Sequence, residues 1–312
     1  MNIRHLRYFV TLAQEGHFGR ASLKCHVTQP TLSEAVRQLE RALSVSLIDR
    51  KGQRYAGLTP GGRRVLSWAQ RILADQKALE HELEDMRGTL SGELNFGVIP
   101  AAMPVAPLVT RAFTARYPNV TLRLLSLSST DIQRGLDEGT LEAGMTYLDN
   151  EPLRNVKSRA LYDERYMLLT PKGGAFEGKR TVRWKDIAAL PLCLLTRDMQ
   201  NRRIIDRLLL EGGAITPRIA IETNSVLALI AQVRSGHWSS VVPHTFLSLL
   251  GQEGSALTGL LAIPLVRPQT THSVGIVVND REPQSPLARA FLKSVVPGDV
   301  QAALRRALPP NA

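Results

Sequence analysis

The sequence predicts a chain of mixed class: short helices and one long helix in the first ninety residues, then an α/β remainder. Three observations predict it. Apolar residues recur at helical spacing between cap residues and glycines in the first stretch. Residues 59–88 carry one long helical pattern. From residue 92 onward short β-rich runs alternate with helical ones. At 312 residues two or three compact units are expected. The composition is 44% hydrophobic and 21% charged, without a run of eighteen apolar residues, so no membrane span is expected. The start "MNIRHLRYFV" has neither the long apolar stretch nor the cleavage site of a signal peptide, and a cytoplasmic location is expected.

The first helix is read from "IRHLRYFVTLAQEG", where Ile3, Leu6, Phe9, Val10 and Ala13 share a face and Gly16 stops the pattern. A second short helix fits "FGRASLKCH", with Phe18, Ala21 and Leu23 to Cys25 as its apolar contacts. In the third, "TQPTLSEAVRQLERAL", Thr28 is a good N-cap, Pro30 fits the first turn, and Leu32, Val36, Leu39 and Leu43 form one stripe. Opposite the stripe lie Gln29, Thr31, Ser33, Glu34 and Arg37. Short and amide-bearing side chains at the N-terminal half of a helix suit base edges in a major groove, whereas an ordinary capped surface helix would show the same pattern with no such use.

"LIDRKGQRYAGLTPGGRR" reads next as a β-hairpin wing, with Gly52 and Gly57 as turn residues and Arg50, Lys51 and Arg54 placed to rest on phosphates. Residues 59–88 then form a helix capped by Thr59 with Pro60 at its first position, about 45 Å long at 1.5 Å per residue. Val65, Trp68 or Ala69, Ile72, Leu79, Leu83 and Met86 follow a 3.5-residue spacing that Asp75 and Gln76 interrupt. A stripe this long favours pairing with a second subunit over packing within the chain. Gly88 and Gly92 break the helix.

The charge distribution agrees with a polyanionic partner. Residues 1–64 hold eleven Lys/Arg against four Asp/Glu, residues 65–90 three against five, and the rest of the +11 chain 25 against 19. The remainder reads as α/β with mostly parallel sheets, from "ELNFGVI", "VTLRLLSL", "LEAGMTY", "ERYMLLT", "PLCLLT", "RIAIET", "SSVVP" and "THSVGIVV" with helices between, and no internal repeat is evident.

The stretches "LRYFVTLAQEGHFGRASLKCHVTQPTLSEAVRQLERAL", "LIDR", "LTPGG" and "SGELNFGV" resemble the LysR-type transcriptional regulators, closely in the first 65 residues and by architecture beyond. The resemblance implies a winged helix-turn-helix over residues 1–58, a linker and dimerisation helix over 59–88, and an effector-binding domain over 89–312. That domain would consist of two Rossmann-like lobes like those of periplasmic binding proteins, lobe I about 91–161 with 268–312 and lobe II about 162–267. It implies a homodimer through the linker helix, a homotetramer on a promoter inverted repeat of double-stranded DNA, and RNA polymerase as a further partner. Carried over by position, the DNA-contacting residues are Thr28, Gln29, Pro30, Thr31, Ser33, Arg37, Arg50 and Arg54. Ser44 stands where a glycine is usual, Ile48 where Phe is common, and Glu34 puts a negative charge on the reading face.

Ligands of parallel α/β sheets lie beyond the carboxyl ends of strands, where helix N-termini present free amides. Four such junctions place Pro100, Ala101, Ala102 and Met103, then Ser128 and Ser129, then Thr196 and Arg197, then Asn224 and Ser225 as effector-binding residues; helix capping explains several of them equally well. The apolar Ala101–Met103 wall, and a likeness to members associated with formate dehydrogenase operons, point to a small carboxylate or other small anion as effector.

The alternative is a thiol-redox-responsive regulator, since "CHVTQPTLS" also resembles the peroxide-sensing branch of the family. A disulfide switch within the effector domain needs two cysteines there, and Cys193 stands alone; Cys25 is expected to pack between the first helices. No cofactor and no metal site is expected. An enzyme is disfavoured by the absence of G-x-S-x-G, G-x-G-x-x-G, P-loop and H-E-x-x-H motifs, and His237 and His244 read as surface or capping residues. An exported solute-binding protein would share the second fold but not the basic first ninety residues.

Overall fold

The computed structural model describes residues 2–51, 54–87, 90–214, 217–249 and 259–307. The chain divides into two compact units, residues 1–89 with 135–140 and residues 90–134 with 141–312.

In the first unit α1 (Ile3–Glu15), α2 (Phe18–Lys24) and α3 (Gln29–Leu43) precede a two-stranded hairpin, β1 (Ile48–Lys51) and β2 (Arg54–Leu58), and the long α4 (Pro60–Met86). Each boundary has a local cause. Asn2 caps α1 through its side chain, and Gly16 ends it in the left-handed region at φ 59°. The His17 ring caps α2 by accepting from the amide of Gly19 at 3.0 Å. Ser44 ends α3 at φ 52°, the left-handed conformation in which a glycine costs least, which gives the departure at this position a structural meaning. The Glu40 carboxylate accepts from the amides of Leu47 and Ile48 at 2.9 and 3.2 Å and so ties α3 to the start of the hairpin.

The stripe of α3 packs as its spacing requires. Leu32, Val36 and Leu39 are buried against Leu6, Phe9, Leu12 and Ala21, with Leu47 and Ile48 closing the cluster. Leu23 differs from expectation: it is 77% exposed, because α2 buries only its Phe18, Ala21 and Ser22 face. Gly57 is not a turn residue but sits inside β2 opposite Asp49, where the register shifts, while Gly52 and Gly88 lie outside the described residues. The stripe of α4 splits in two. Val65, Leu66, Ala69, Ile72 and Leu73 complete the core of this unit, whereas Trp68, Leu79, Leu83 and Met86 are 48–78% exposed.

The second unit runs β3 (Gly92–Val98), α5 (Ala106–Arg116), β4 (Val120–Ser126), α6 (Ser129–Glu138), β5 (Ala143–Tyr147) and β6 (Val156–Glu164). It continues through β7 (Tyr166–Pro171), β8 (Val182–Arg183), β9 (Leu192–Leu195), α7 (Gln200–Glu211), β10 (Ile219–Thr223), α8 (Val226–Arg234), β11 (Ser240–Pro243) and β12 (Leu260–Val266). It closes with β13 (His272–Asn279), α9 (Pro286–Ser294) and α10 (Pro297–Ala307). The first lobe holds a five-stranded sheet ordered β4-β3-β5-β13-β6; the second holds a four-stranded sheet, β11-β7-β12-β8, beside the pair β10-β9. The chain passes between lobes twice, at Arg165 and across residues 267–271.

The sheets are mixed rather than mostly parallel. β3 pairs in parallel with β4 and β5, and β9 with β10, but β13 runs antiparallel to both β5 and β6, and β7 antiparallel to both β11 and β12. The two crossovers are the cause, since each returning strand enters its sheet from the other lobe instead of through a βαβ turn. In lobe I a Phe96–Phe113–Phe291 cluster has ring centroids 4.7 and 5.2 Å apart. Gly97 and Gly144 face each other across β3 and β5, and a Cβ on Gly144 would overlap Ile132 of α6, so the glycine lets that helix lie close on the sheet.

Candidate nucleic-acid interface and effector cleft

On the first unit the third helix carries the candidate reading surface. Thr28 caps it, its Oγ1 accepting from the Thr31 amide at 3.3 Å and lying 2.8 Å from the Thr31 hydroxyl. Gln29, Pro30, Ser33, Glu34 and Arg37 line one open depression of about 600 Å³ on the outer face. Gln29, Pro30, Thr31 and Arg37 are exposed and Ser33 half-buried, so their polar groups face solvent. Glu34 is held by Arg41 at 2.5 Å, an exposed pair that offsets part of its charge without adding much stability. In the hairpin Arg50 stands opposite Tyr55 and Lys51 opposite Arg54; the side chains of Arg50 and Arg54 lie outside the described residues.

The effector-binding candidates fall into two groups, one per lobe. Pro100, Ala101, Ala102 and Met103 form a 3₁₀ turn directly after β3, and Ser128 and Ser129 follow the neighbouring β4. Pro100, Ala101 and Ala102 are buried, and so are both serines, Ser128 being engaged with Asp131 through its hydroxyl at 2.7 Å and the Asp131 amide at 3.1 Å. Thr196 and Arg197 follow β9, and Asn224 and Ser225 follow β10, joined by the Thr196 amide donating to the Thr223 carbonyl at 3.0 Å. Asn224, Arg197 and Ser225 are exposed, and Ser225 caps α8. The hydroxyl of Thr196 is buried with no hydrogen-bond partner among the described residues. The two groups make no hydrogen bond to each other among the described residues.

What joins the lobes is a set of residues the sequence did not single out. From the first turn of α7, Gln200 donates to the Asn150 carbonyl and Asn201 donates to the Tyr147 hydroxyl at 2.9 Å. Arg203 grips Glu151, and Arg207 donates to the Asn150 side chain at 3.0 Å. Tyr147 in turn donates to Glu164, the fully buried last residue of β6. Burial pushes the Glu164 carboxyl up to about 8 and the Tyr147 hydroxyl upward as well. His272 lies 3.3 Å from Asp149 on the same side. The only signal for this latch was the polar run "QNRR" opening a helix beside a candidate junction.

The remaining candidates resolve simply. His237 is exposed; His244 is not a surface residue but is buried, its Nδ1 accepting from the Arg165 amide at 3.1 Å, and burial with the Arg165 charge pushes it down to about 4. Cys25 is half-buried against the first unit's core, and Cys193 is fully buried on β9, where burial raises its thiol. Among the described residues no group of three or more His, Cys, Asp or Glu could hold a metal ion, and no helix is long and apolar enough to cross a membrane.

Two family models match along the chain. Residues 3–63 match the family model described as bacterial regulatory helix-turn-helix protein, lysR family, and residues 87–297 match the LysR substrate binding domain. A probable hydrogen peroxide-inducible genes activator of Mycobacterium leprae (strain TN) is 35% identical over 194 residues, and this chain spans 62% of its length and is itself matched over 62%. The DNA-binding transcriptional dual regulator OxyR of Escherichia coli (strain K12) is 27% identical over 292 residues, 93% of this chain and 92% of that one. Among solved structures, a full-length OxyR variant from Pseudomonas aeruginosa superposes with a TM-score of 0.74 at 25% identity, over 99% of this chain and 98% of that one.

Proposed function

The chain belongs to the LysR family of DNA-binding transcriptional regulators, and from that premise we propose that α3 reads an inverted repeat for a dimer joined through α4, in response to oxidant. The observation that carries the DNA reading is the depression on α3, where Gln29, Ser33 and Arg37 face solvent beside the cap. Amide, hydroxyl and guanidinium groups there match adenine, mixed and guanine edges. Dimerisation is supported by the row Trp68, Leu79, Leu83 and Met86, whose exposure on a 27-residue helix leaves apolar surface uncovered. RNA polymerase as a partner and a cytoplasmic place of work follow from the same role.

The relatives favour an oxidant signal over a small carboxylate, because the named ones above include peroxide-inducible activators. The chain has two cysteines, one in each unit, so a disulfide inside the effector domain is not available to it. The remaining thiol chemistry is attack of a cysteine thiolate on hydrogen peroxide, forming an S–O bond and releasing hydroxide, to leave a sulfenic acid. Burial makes the Cys193 thiolate scarce, while Cys25 is half-exposed. A second reading, the small anion at the strand ends, is favoured by the Thr196 hydroxyl, which has no hydrogen-bond partner among the described residues, beside Asn224 and Ser225.

The test is selection of bound sequences from random double-stranded DNA, followed by binding of the selected site with peroxide or with reductant. Two half-sites about one helical turn apart are expected, with peroxide changing affinity and Cys193→Ser or Cys25→Ser abolishing the change. No enriched sequence would overturn the DNA reading. An enriched site indifferent to peroxide, in a protein whose melting shifts with a small anion, would replace the oxidant reading with the second one.

A further inference from the structure

Lobe II carries, beside the two crossover segments, a half-open cavity of about 740 Å³ that none of the strand-end candidates lines. Its apolar wall is formed by Met167, Trp184, Leu247, Ala262, Pro264 and Leu265. Trp184 is fixed there, its indole N–H donating to the Pro268 carbonyl at 3.0 Å and only 1% of it exposed. Arg165 and Arg180 supply the charge, with Thr181 and Gln269 as further polar groups, and among the described residues no Asp or Glu lines the cavity. Elsewhere in lobe II, Arg183, Arg202 and Arg203 each hold a carboxylate; Arg180 holds none among the described residues. A neighbouring depression of about 400 Å³, which shares Thr181 and Val266 with this cavity, adds Lys179 and Arg267, together with Arg183 in its ion pair with Asp186, so a net positive charge continues along the rim.

We propose that this cavity is a second ligand site, one for an amphipathic monocarboxylate: an apolar body against the half-buried Ala262 and Pro264, with its acid group on the exposed Arg180. Size selects against the smallest acids. Pockets of roughly 300–1,000 Å³ suit drug-sized ligands, and an ion as small as formate would leave most of this one empty and most of its apolar wall uncovered. Sign selects against cations, since the charged groups among the described lining residues are guanidiniums, which bind carboxylates in a two-point fork. Position gives the site a consequence. Its walls include residues 165–167, 266 and 268–270, at the two segments through which the lobes are connected, so an occupant touches both and favours whichever lobe arrangement binds it more tightly.

The experiment is calorimetric titration of the full-length protein, without DNA, using octanoate, acetate and 1-octanol. Octanoate is expected to bind at least about tenfold more tightly than either of the others, since acetate lacks the chain and octanol the charge. Arg180→Glu, at an exposed position, should weaken octanoate about tenfold or more and leave octanol unchanged. Ala262→Phe should weaken both by filling the cavity, and if that variant fails to fold, Arg180→Glu decides alone. The proposal is overturned if octanoate does not bind, if it binds no better than acetate, or if Thr196→Ala weakens it while Arg180→Glu does not. The last result would put the acid at the strand ends. Binding is read on the protein itself, so failure here leaves the DNA and oxidant readings standing, and their failure leaves this site testable.

Discussion

Gly62 lies against the carbonyl of Leu47 so closely that a Cβ at position 62 would overlap that oxygen. Thr59 organises the same corner, its hydroxyl donating to the Ser46 carbonyl at 2.6 Å and accepting from the Gly62 amide at 2.8 Å. Thus "TPGG" joins the first turn of α4 to the strand that begins the hairpin. Gly62→Ala is expected to cost about 1–3 kcal/mol, because backbone rather than a flexible side chain must move. Gly61→Ala should cost less, since its Cβ would overlap the Val45 side chain at 2.6 Å and meet the Ser46 carbonyl and the Thr59 hydroxyl only at ordinary contact distance. Denaturant unfolding of the two variants, read side by side, checks the order; equal losses would contradict it.

Ser33→Ala and Arg54→Ala should separate reading from anchoring. Removing the hydroxyl of Ser33 is expected to cost about 1–3 kcal/mol on the selected site and little on random DNA. Removing Arg54 should weaken both and lower the slope of log affinity against log salt by about one. Salt titrations on specific and random duplexes measure this, and identical loss of specificity for both variants would reject the two roles.

The stability of the second unit should fall as pH rises from 6.5 to 8. Glu164 is held protonated up to about 8 by burial, whereas its ordinary value is 4.5, so between these values the unfolded chain has lost a proton that the folded chain keeps. Its contribution is complete below 4.5 and disappears as pH passes 8. His244 acts oppositely: held down to about 4 from 6.5, it lowers stability as pH falls through that window. The two offset each other between 4.5 and 6.5, leaving Glu164 alone above. Melting temperatures across this range should decline on the alkaline side for the parent and not for Glu164→Gln; a parallel decline in both would refute the assignment.

Ser44→Gly should stabilise the first unit. At φ 52° the serine pays for a left-handed backbone that a glycine adopts freely, and relief of that strain, about 1 kcal/mol, is partly offset by the greater freedom of an unfolded glycine. A gain of roughly 0.5 kcal/mol in denaturant unfolding is expected. A loss would mean that the Ser44 side chain contributes a contact that the geometry does not reveal.

The first unit was legible because its signals are local. The α3 stripe, its Thr28 cap and the Thr59–Pro60 start of α4 all follow from spacing and capping, and the structure has them where the spacing puts them. Leu23 misled because a seven-residue helix shows too little periodicity to say which of its apolar residues faces inward. The parallel sheets were overestimated because β13 reads like any other apolar run; nothing within it says that its neighbours are β5 and β6. For the same reason the latch from Gln200, Asn201 and Arg203 to residues 147–151 was invisible, since each partner lies about fifty residues away and polar residues in a first helical turn look like caps.

The placement of β13 between β5 and β6 also orders the events of synthesis. The core of the DNA-reading unit lies within residues 6–73 and can close as soon as that stretch has left the ribosome. Lobe I cannot, for β13 is made roughly a hundred residues after β6, a wait of about 5–20 s at ordinary elongation rates. During that interval β5 and β6 each present an open edge, the kind of surface on which nascent chains pair wrongly. A newly made molecule therefore completes its helix-turn-helix unit before it can complete lobe I.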